Sequence, residues 1–170
     1  NSPMVAVGMG VVLLALSVKA AVVPVHGWLP ATYPHASPVV TALFSGLLTK
    51  VGVYGIMRIY AVVFEGAAAF HWLIMVVALV TMLVGVLAAV GEQAVRPVLS
   101  FHMVSQIGYI LFALALFTEL GLAAGVFFMV QYIPVKACLF LVAAAIEVTF
   151  GAGRIDRLGG LAPHEPILAV

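Results

Sequence analysis

Charged residues are scarce in this chain of 170 residues: 8% are Asp, Glu, Lys or Arg, while 65% are apolar. Soluble domains carry roughly 25% charged residues, because their surfaces must bind water. The composition therefore excludes an ordinary soluble domain and predicts a protein of the lipid bilayer. A net charge of +1 also provides no basic patch for phosphate groups, which excludes nucleic acid as a partner.

Cysteine is nearly absent as well. The single thiol, Cys138, excludes a disulfide framework and a cysteine metal site, and we expect it to act as a small buried hydrophobe. The five histidines show no metal-ligand spacing, and no phosphate-binding loop occurs. The sequence therefore predicts neither a cofactor nor a bound metal.

Long apolar runs dominate what is present. Five runs have about the length that crosses ~30 Å of hydrocarbon, and they cover residues 4–33, 39–64, 72–90, 97–117 and 121–147. They predict an all-α membrane protein with five transmembrane helices. The chain begins with Asn1 without the basic start of a signal peptide, and residues 166–170 look like another span. We therefore expect a fragment of a longer polytopic protein, truncated at both ends.

The first span is interrupted. Pro24, Gly27 and Pro30 follow Lys19 within it, so we predict a discontinuous helix that breaks after Lys19 at Pro24. A helix can break inside a membrane only where protein or a water-filled cavity satisfies the freed backbone groups.

Loop charges predict the orientation. If the spans alternate, Arg96, Arg154 and Arg157 all fall in loops on one side, and the short connections on the other side hold no Lys or Arg. The positive-inside rule then predicts that these loops are cytoplasmic, with the amino end outside a plasma membrane.

The lysines lie at costly positions. Lys50 and Lys136 are near the centres of their spans, and Lys19 is near the middle of the broken one. Each costs roughly 2.5–3.5 kcal/mol at the centre of a spanning helix. One interpretation is that each lysine pairs with a glutamate for structural reasons. The other is a chain of groups that exchange protons, for which lysine is better suited than arginine, because arginine stays protonated.

Other polar residues have positions that suit such a relay. His102 and Gln106 are one turn apart on the fourth span, as are Tyr132 and Lys136 on the fifth, and Glu147 follows three turns later on the same face. His26, which can titrate near neutrality, follows the break. We predict that these residues support proton translocation by Lys19, Lys50 and Lys136.

Four stretches together resemble a known family. Residues 19–30, KAAVVPVHGWLP, resemble the broken-helix motif of the antiporter-like subunits of respiratory complex I and of Mrp cation/proton antiporters. Residues 41–58, TALFSGLLTKVGVYGIMR, resemble the lysine-bearing helix that follows it. Residues 100–109, SFHMVSQIGY, and residues 135–141, VKACLFL, are similar to two later signatures, with a wording closest to the Mrp members.

The resemblance implies a fold of about fourteen helices with two inverted five-helix repeats. Lys19 would match the lysine of the first broken helix, Lys50 the lysine of the next helix, and Lys136 the central connecting lysine. The glutamate that partners the first lysine would lie upstream, and a second broken helix would lie past Val170. Implied partners are other membrane subunits, protons and monovalent cations.

The chain also departs from the family pattern. Family members often carry histidine just before the Lys136 position, where this chain has Gln131 and Tyr132. Pro134 is unexpected within a helix and is predicted to kink it. Both departures concern the proton path near Lys136.

Three functions follow as hypotheses. The first is a proton-translocating subunit of a multisubunit sodium/proton antiporter, which is a transporter and not an enzyme. The second is a proton-pumping subunit of complex I or of a membrane-bound hydrogenase, driven by redox chemistry elsewhere. The third is a structural scaffold whose buried lysines only form pairs.

Overall fold

The computed structural model describes residues 3–63, 68–151 and 153–158. These residues form α1 (Pro3–Ala20), α2 (Trp28–Thr32), α3 (Pro38–Val63), α4 (Ala68–Val90), α5 (Val95–Ala115) and α6 (Glu119–Phe150), followed by a 3₁₀ turn at Ile155–Arg157. Within these ranges no strand forms, and only an isolated bridge joins Ala94 to Arg154. The prediction of an all-α fold is confirmed.

Four helices, α3 to α6, are long and apolar enough to cross a bilayer, and α1 is a shorter apolar helix. Each begins within four residues of a span predicted from the sequence. The chain is therefore a multi-pass membrane protein. Residues 159–170, where a further span was expected to begin, lie outside the described ranges.

The first span is discontinuous, with a break at residues 21–27. Helix α1 ends because Ala21 adopts the left-handed conformation, with φ of 58°. The backbone N–H groups of Ala21 and Val22 then donate to the carbonyls of Val18 and Ser17, which closes the helix end. Pro24 lies inside the break, but the helix has already ended four residues earlier.

Protein groups satisfy the backbone at this break, as the membrane requires. The indole nitrogen of Trp28 donates to the carbonyl of Val18 over 2.7 Å. The hydroxyl of Thr81 on α4 accepts from the backbone nitrogen of Val23 over 3.3 Å. The half-helix α2 is therefore attached to α1 through Trp28, and the break before it is attached to α4 through Val23.

Glycines allow the helices to approach closely. A Cβ atom on Gly52 of α3 would lie 2.7 Å from the backbone nitrogen of Ala20 on α1. A Cβ atom on Gly108 of α5 would lie 2.7 Å from the backbone nitrogen of Met82 on α4. These contacts bring together the helices that carry the candidate residues.

Helix α6 packs against both α3 and α5. Gly125 faces Ala113 of α5, and Gly46 of α3 faces Ile133. Pro134 lies within α6, which nevertheless continues to Phe150 and ends where Gly151 is left-handed, with φ of 64°. Both neighbours of α6 therefore reach the surface that carries Lys136.

Candidate functional site

Lys50 on α3 and Lys136 on α6 are buried in the same region of the bundle. Their exposed fractions are 3% and 0%. Their ammonium nitrogens lie 4.6 Å and 5.4 Å from the centroid of the Tyr132 ring. Tyr132 lies one turn before Lys136 on α6, so its ring reaches the same space. An aromatic ring within about 6 Å attracts a cation. Here one ring lies within that distance of two lysines.

Lys136 also contacts α5. Its Nζ lies 2.8 Å from Nδ1 of His102 and donates to the carbonyl of Leu99 over 3.3 Å. On the other side of the imidazole, Nε2 of His102 lies 3.3 Å from the side-chain amide of Gln106. The predicted neighbours His102 and Gln106 are therefore joined to Lys136 in one series of polar contacts.

The contacts on the two sides of His102 depend on each other. A neutral imidazole carries hydrogen on one ring nitrogen and accepts on the other. When the ammonium of Lys136 donates to Nδ1, Nε2 carries the hydrogen, and the Gln106 amide must turn its oxygen towards Nε2 to accept it. When Lys136 is neutral and accepts from Nδ1, Nε2 accepts from the Gln106 amide. The arrangement can therefore hold a proton on either side of the α5–α6 boundary.

Lys50 has a different environment. Its ammonium donates to the carbonyl of Ser45, five residues earlier on α3. This direction follows from helix geometry, because side chains lean towards the amino end of a helix. Within the described part of the chain, the buried hydroxyl of the adjacent Thr49 has no hydrogen-bond partner.

No carboxylate approaches either lysine among the residues that the structure describes. The ion pairs found there join Arg96 to Glu147 and Arg154 to Asp156. Taking an ammonium out of water costs several kcal/mol per ion unless a partner compensates. Carbonyls, an imidazole and one aromatic ring provide the compensation around Lys50 and Lys136, without an opposite charge.

Lys19 and His26 lie apart from this cluster. Lys19 is exposed on the last turn of α1 and has no hydrogen-bond or ion-pair partner in the described ranges. His26 borders an open cavity of about 520 Å³, together with His35 and Glu92. The relay role of Lys19 and His26 stays a prediction, which for Lys19 is drawn from its predicted depth and from the family resemblance.

Glu147 forms an ion pair with Arg96, and its supporting role in proton translocation stays a prediction. Its carboxylate lies 3.6 Å from Nη1 of Arg96, eleven residues along α6 from Lys136. Arg96 was predicted to lie in a loop, but the structure places it in the first turn of α5, where it is 8% exposed. The helix begins earlier than expected because Pro97 is well tolerated in a first turn. Sequence reasoning missed this ion pair of a buried arginine and a half-buried glutamate, although opposite charges at the facing ends of neighbouring spans were a usable signal.

Cys138 also differs from expectation, because it is exposed instead of buried. It lies two residues after Lys136, about 200° around the helix, and so faces away from the buried side. Gln131 is likewise exposed, which leaves Tyr132 as the residue that occupies the interior at this point. In the residues that could be searched, no group of His, Cys, Asp or Glu has the arrangement of a metal site.

Membrane-crossing helices with ammonium groups buried between them define a polytopic membrane protein with an ionisable interior. The family described as "NADH:quinone oxidoreductase/Mrp antiporter, TM" matches residues 1–170. The chain belongs to this family, which confirms the resemblance predicted from its four motifs.

Individual proteins agree with this assignment. The chain is 39% identical over 158 residues to a Na⁺/H⁺ antiporter subunit of Alkalihalophilus pseudofirmus, covering 92% of this chain and 32% of the relative. It is similar to a chain of the Mrp complex from a Dietzia species, with a TM-score of 0.94 and 56% identity over 99% of this chain and 32% of that one. It also resembles a chain of the membrane-bound sulfane sulfur reductase, an archaeal respiratory membrane complex, with a TM-score of 0.86 and 28% identity over 92% and 33%.

The chain spans about a third of the length of these relatives. Its structural likeness to the Mrp complex supports the predicted antiporter-like fold, of which these helices are a part.

Proposed function

We propose that this chain is the proton-translocating part of a subunit of a multisubunit sodium/proton antiporter. The observation that carries the proposal is the pair of buried lysines, Lys50 and Lys136, which meet at one aromatic ring with no carboxylate beside them in the described part of the chain. A permanent pair of unneutralised buried charges is costly. Groups that take up and release protons in turn avoid that cost.

The geometry suggests how a proton moves. A proton on Lys136 can pass to Nδ1 of His102 across the 2.8 Å contact, which leaves Lys136 neutral and His102 as an imidazolium. The ring becomes neutral again when it releases a proton, either back to Lys136 from Nδ1 or onwards from Nε2 to the next acceptor along the path. Charging Lys50 and Lys136 together brings two like charges against the Tyr132 ring, and these repel each other. Protonation of one lysine therefore favours proton release by the other, which makes proton movement directional when an entry path feeds one end.

Lys19 extends this proposal to the broken helix. The family resemblance gives it the first position of the lysine chain, with its glutamate upstream. We propose that the relay runs through Lys19, Lys50 and Lys136, and that His26 supports proton transfer at the break in the first span. Other membrane subunits of the complex are the proposed partners, and protons and a monovalent cation are the transported species, as the names of the relatives suggest.

We also propose the orientation of the chain in a plasma membrane. The start of α5 and the segment after α6 lie at the same end of the bundle, because Ala94 bridges to Arg154. Arg96, Arg154 and Arg157 therefore gather at one end, which the positive-inside rule assigns to the cytoplasm. The amino end of the fragment then lies outside.

A redox-driven complex is the second candidate, supported by the likeness to a chain of an archaeal respiratory membrane complex. The subunits that purify with the full-length protein separate the two. Quinone-binding and iron–sulfur subunits would indicate a redox-driven pump, whereas small hydrophobic subunits would indicate an antiporter. The higher identity to a chain of the Mrp complex favours the antiporter.

The decisive experiment uses the full-length protein in its complex, in inverted membrane vesicles. Lys50→Ala should abolish sodium-dependent proton movement while the complex still assembles. Arg58→Ala is the matched control, because Arg58 is an exposed cation on the same helix and should leave transport unchanged. Wild-type transport by assembled Lys50→Ala would refute the proposed role of this lysine.

A further inference from the structure

Arg96 joins three separate segments at one end of the bundle. Its Nη2 donates to the carbonyl of Tyr33 over 3.2 Å, to the carbonyl of Ala36, and to the hydroxyl of Thr41 over 3.2 Å. Its Nη1 faces the carboxylate of Glu147 on α6. Nη2 of the guanidinium therefore binds the turn between α2 and α3 and the start of α3, and Nη1 binds α6.

The carbonyls that Arg96 binds belong to the half-helix after the break. Tyr33 follows the last residue of α2, where free carbonyls concentrate partial negative charge. The Tyr33 ring packs edge-on against Phe140 of α6, with 6.3 Å between the ring centroids. The half-helix is thus held to α6 by one ring contact and by the fork of Arg96.

Lys136 lies on the same seam. Phe140 and Lys136 are one turn apart on α6, and Lys136 binds the carbonyl of Leu99, one turn after Arg96 on α5. The hydroxyl of Ser100 donates to the carbonyl of Arg96 itself, which ties the two turns of α5 together. About 9 Å of rigid helix separates Arg96 from His102.

We propose that Arg96 is a positioning residue that holds the half-helix after the break in register with the α5–α6 seam, and thereby sets the contact between Lys136 and His102. This inference rests on the proposed function. Arg96 does not exchange protons itself, because a guanidinium stays charged. Its effect on transport comes from geometry, since the planar fork reaches two sets of acceptors in different directions.

The test uses the full-length complex in inverted vesicles. Arg96→Lys keeps the positive charge but offers a single nitrogen, so it can serve the α2–α3 turn or Glu147 but not both. We expect it to lower sodium-dependent proton movement between about twofold and thirtyfold in assembled complexes, the range found for coupling residues. Arg154→Gln, which removes an exposed arginine at the same end of the bundle, should have no effect.

A second measurement separates positioning from general support of the fold. In a His102→Ala background the contact that Arg96 positions is already lost, so adding Arg96→Lys should cost much less than it does in the wild type. A merely structural role would give the same factor in both backgrounds. Equal factors, or wild-type transport by Arg96→Lys, would overturn the inference.

Glu147→Gln decides the matter if the Arg96 variants fail to assemble. It leaves the carbonyl contacts of Arg96 intact and removes the negative charge that attracts the guanidinium to α6, so we expect an assembled complex with reduced transport. Unchanged transport would contradict the proposal. Lys50→Ala is measured in the same vesicles. If Lys50→Ala loses transport while the Arg96 and Glu147 variants keep it, this inference is wrong and the proposed function stands. If Lys50→Ala keeps wild-type transport, the proposed function is wrong.

Discussion

The ammonium nitrogen of Lys136 lies 2.8 Å from Nδ1 of His102, across the boundary between α6 and α5. No part of this contact is local in sequence, since the two residues are 34 positions apart. The contact joins the amine of Lys136, which can bind a proton, to the imidazole of His102, which can bind a proton on either ring nitrogen. It is the shortest of the polar contacts that join the two helices in the described part of the chain.

His102→Ala removes the only imidazole in this contact. We expect sodium-dependent proton movement to fall by roughly tenfold to a hundredfold, since a hydrogen bond to a charged group contributes about 1.5–3 kcal/mol. His102→Asn, whose side-chain oxygen can accept a hydrogen bond near the Nδ1 position but cannot take up a proton, should be as slow as His102→Ala. The measurement is initial transport rate in vesicles with equal amounts of assembled complex. Partial recovery in the Asn variant would show that His102 only accepts a hydrogen bond, and it would contradict proton transfer to this residue.

Tyr132 provides a ring and a hydroxyl whose contributions can be separated. In the described part of the chain the buried hydroxyl has no hydrogen-bond partner, whereas the ring lies near both ammonium groups. Tyr132→Phe keeps the cation–π contacts and should preserve transport. Tyr132→Leu should lower it by roughly thirtyfold, because a desolvated cation–π contact contributes about 2 kcal/mol. A larger loss in the Phe variant than in the Leu variant would show that the hydroxyl is the important group.

Gly108 tests the close packing of α4 and α5. A Cβ atom there would lie 2.7 Å from the backbone nitrogen of Met82 and 2.8 Å from the carbonyl oxygen of Ala78. Gly108→Ala must push these helices apart, and we expect it to lower the free energy of unfolding by roughly 1–3 kcal/mol. Gly10→Ala is the control, because no atom lies within 4 Å of its added Cβ. Thermal denaturation of the purified protein in detergent measures both, and equal midpoints would refute the packing account.

The segment after α6 provides a pH test outside the membrane. The Arg154 guanidinium hydrogen-bonds the carboxylate of Asp156 and lowers the pKa of that carboxyl. A lowered pKa in the folded state stabilises the pair above the ordinary carboxyl pKa, and the stabilisation is lost as the pH falls through the lowered value. The backbone N–H of Ile155 donates to the carbonyl of Gln93 in this segment. We therefore expect this hydrogen bond to open more often as the pH falls.

Hydrogen exchange of the Ile155 amide, corrected for the intrinsic pH dependence of exchange, measures this opening. Asp156→Asn should exchange faster near neutral pH and should lose most of the pH dependence. The same pH dependence in the Asn variant would assign the effect to another group.

The sequence predicted the spans well because their signal is local. A run of about twenty apolar residues fixes a membrane helix by length alone, and the lysine pattern identified the buried cations at 50 and 136. The break after Lys19 was also visible, although the helix ends through a left-handed Ala21 instead of at Pro24. Spacing on one helix predicted the shared face of Tyr132 and Lys136.

Contacts between helices were not predictable in the same way. Arg96 was counted as a loop charge, because one sequence does not show that the α2–α3 turn presents carbonyls to it. Cys138 was expected inside because thiols are usually buried, but the direction of Lys136 decides which face of α6 is inward. The burial of Arg96 and the exposure of Cys138 both depend on which helices pack together. In the sequence, a glycine such as Gly108 indicates only that some helix approaches closely there.

The central claim is that the buried lysines exchange protons, and Lys136→Arg tests it most directly. Arginine keeps the charge and the reach but stays protonated, so the relay account predicts that sodium-dependent proton movement is lost in vesicles whose complex assembles normally. Lys136→Met, which has no charge, should lose it as well. A scaffold that needs only a cation at this position would keep transport with Arg and lose it with Met. Wild-type transport by the assembled Arg variant would therefore contradict the account.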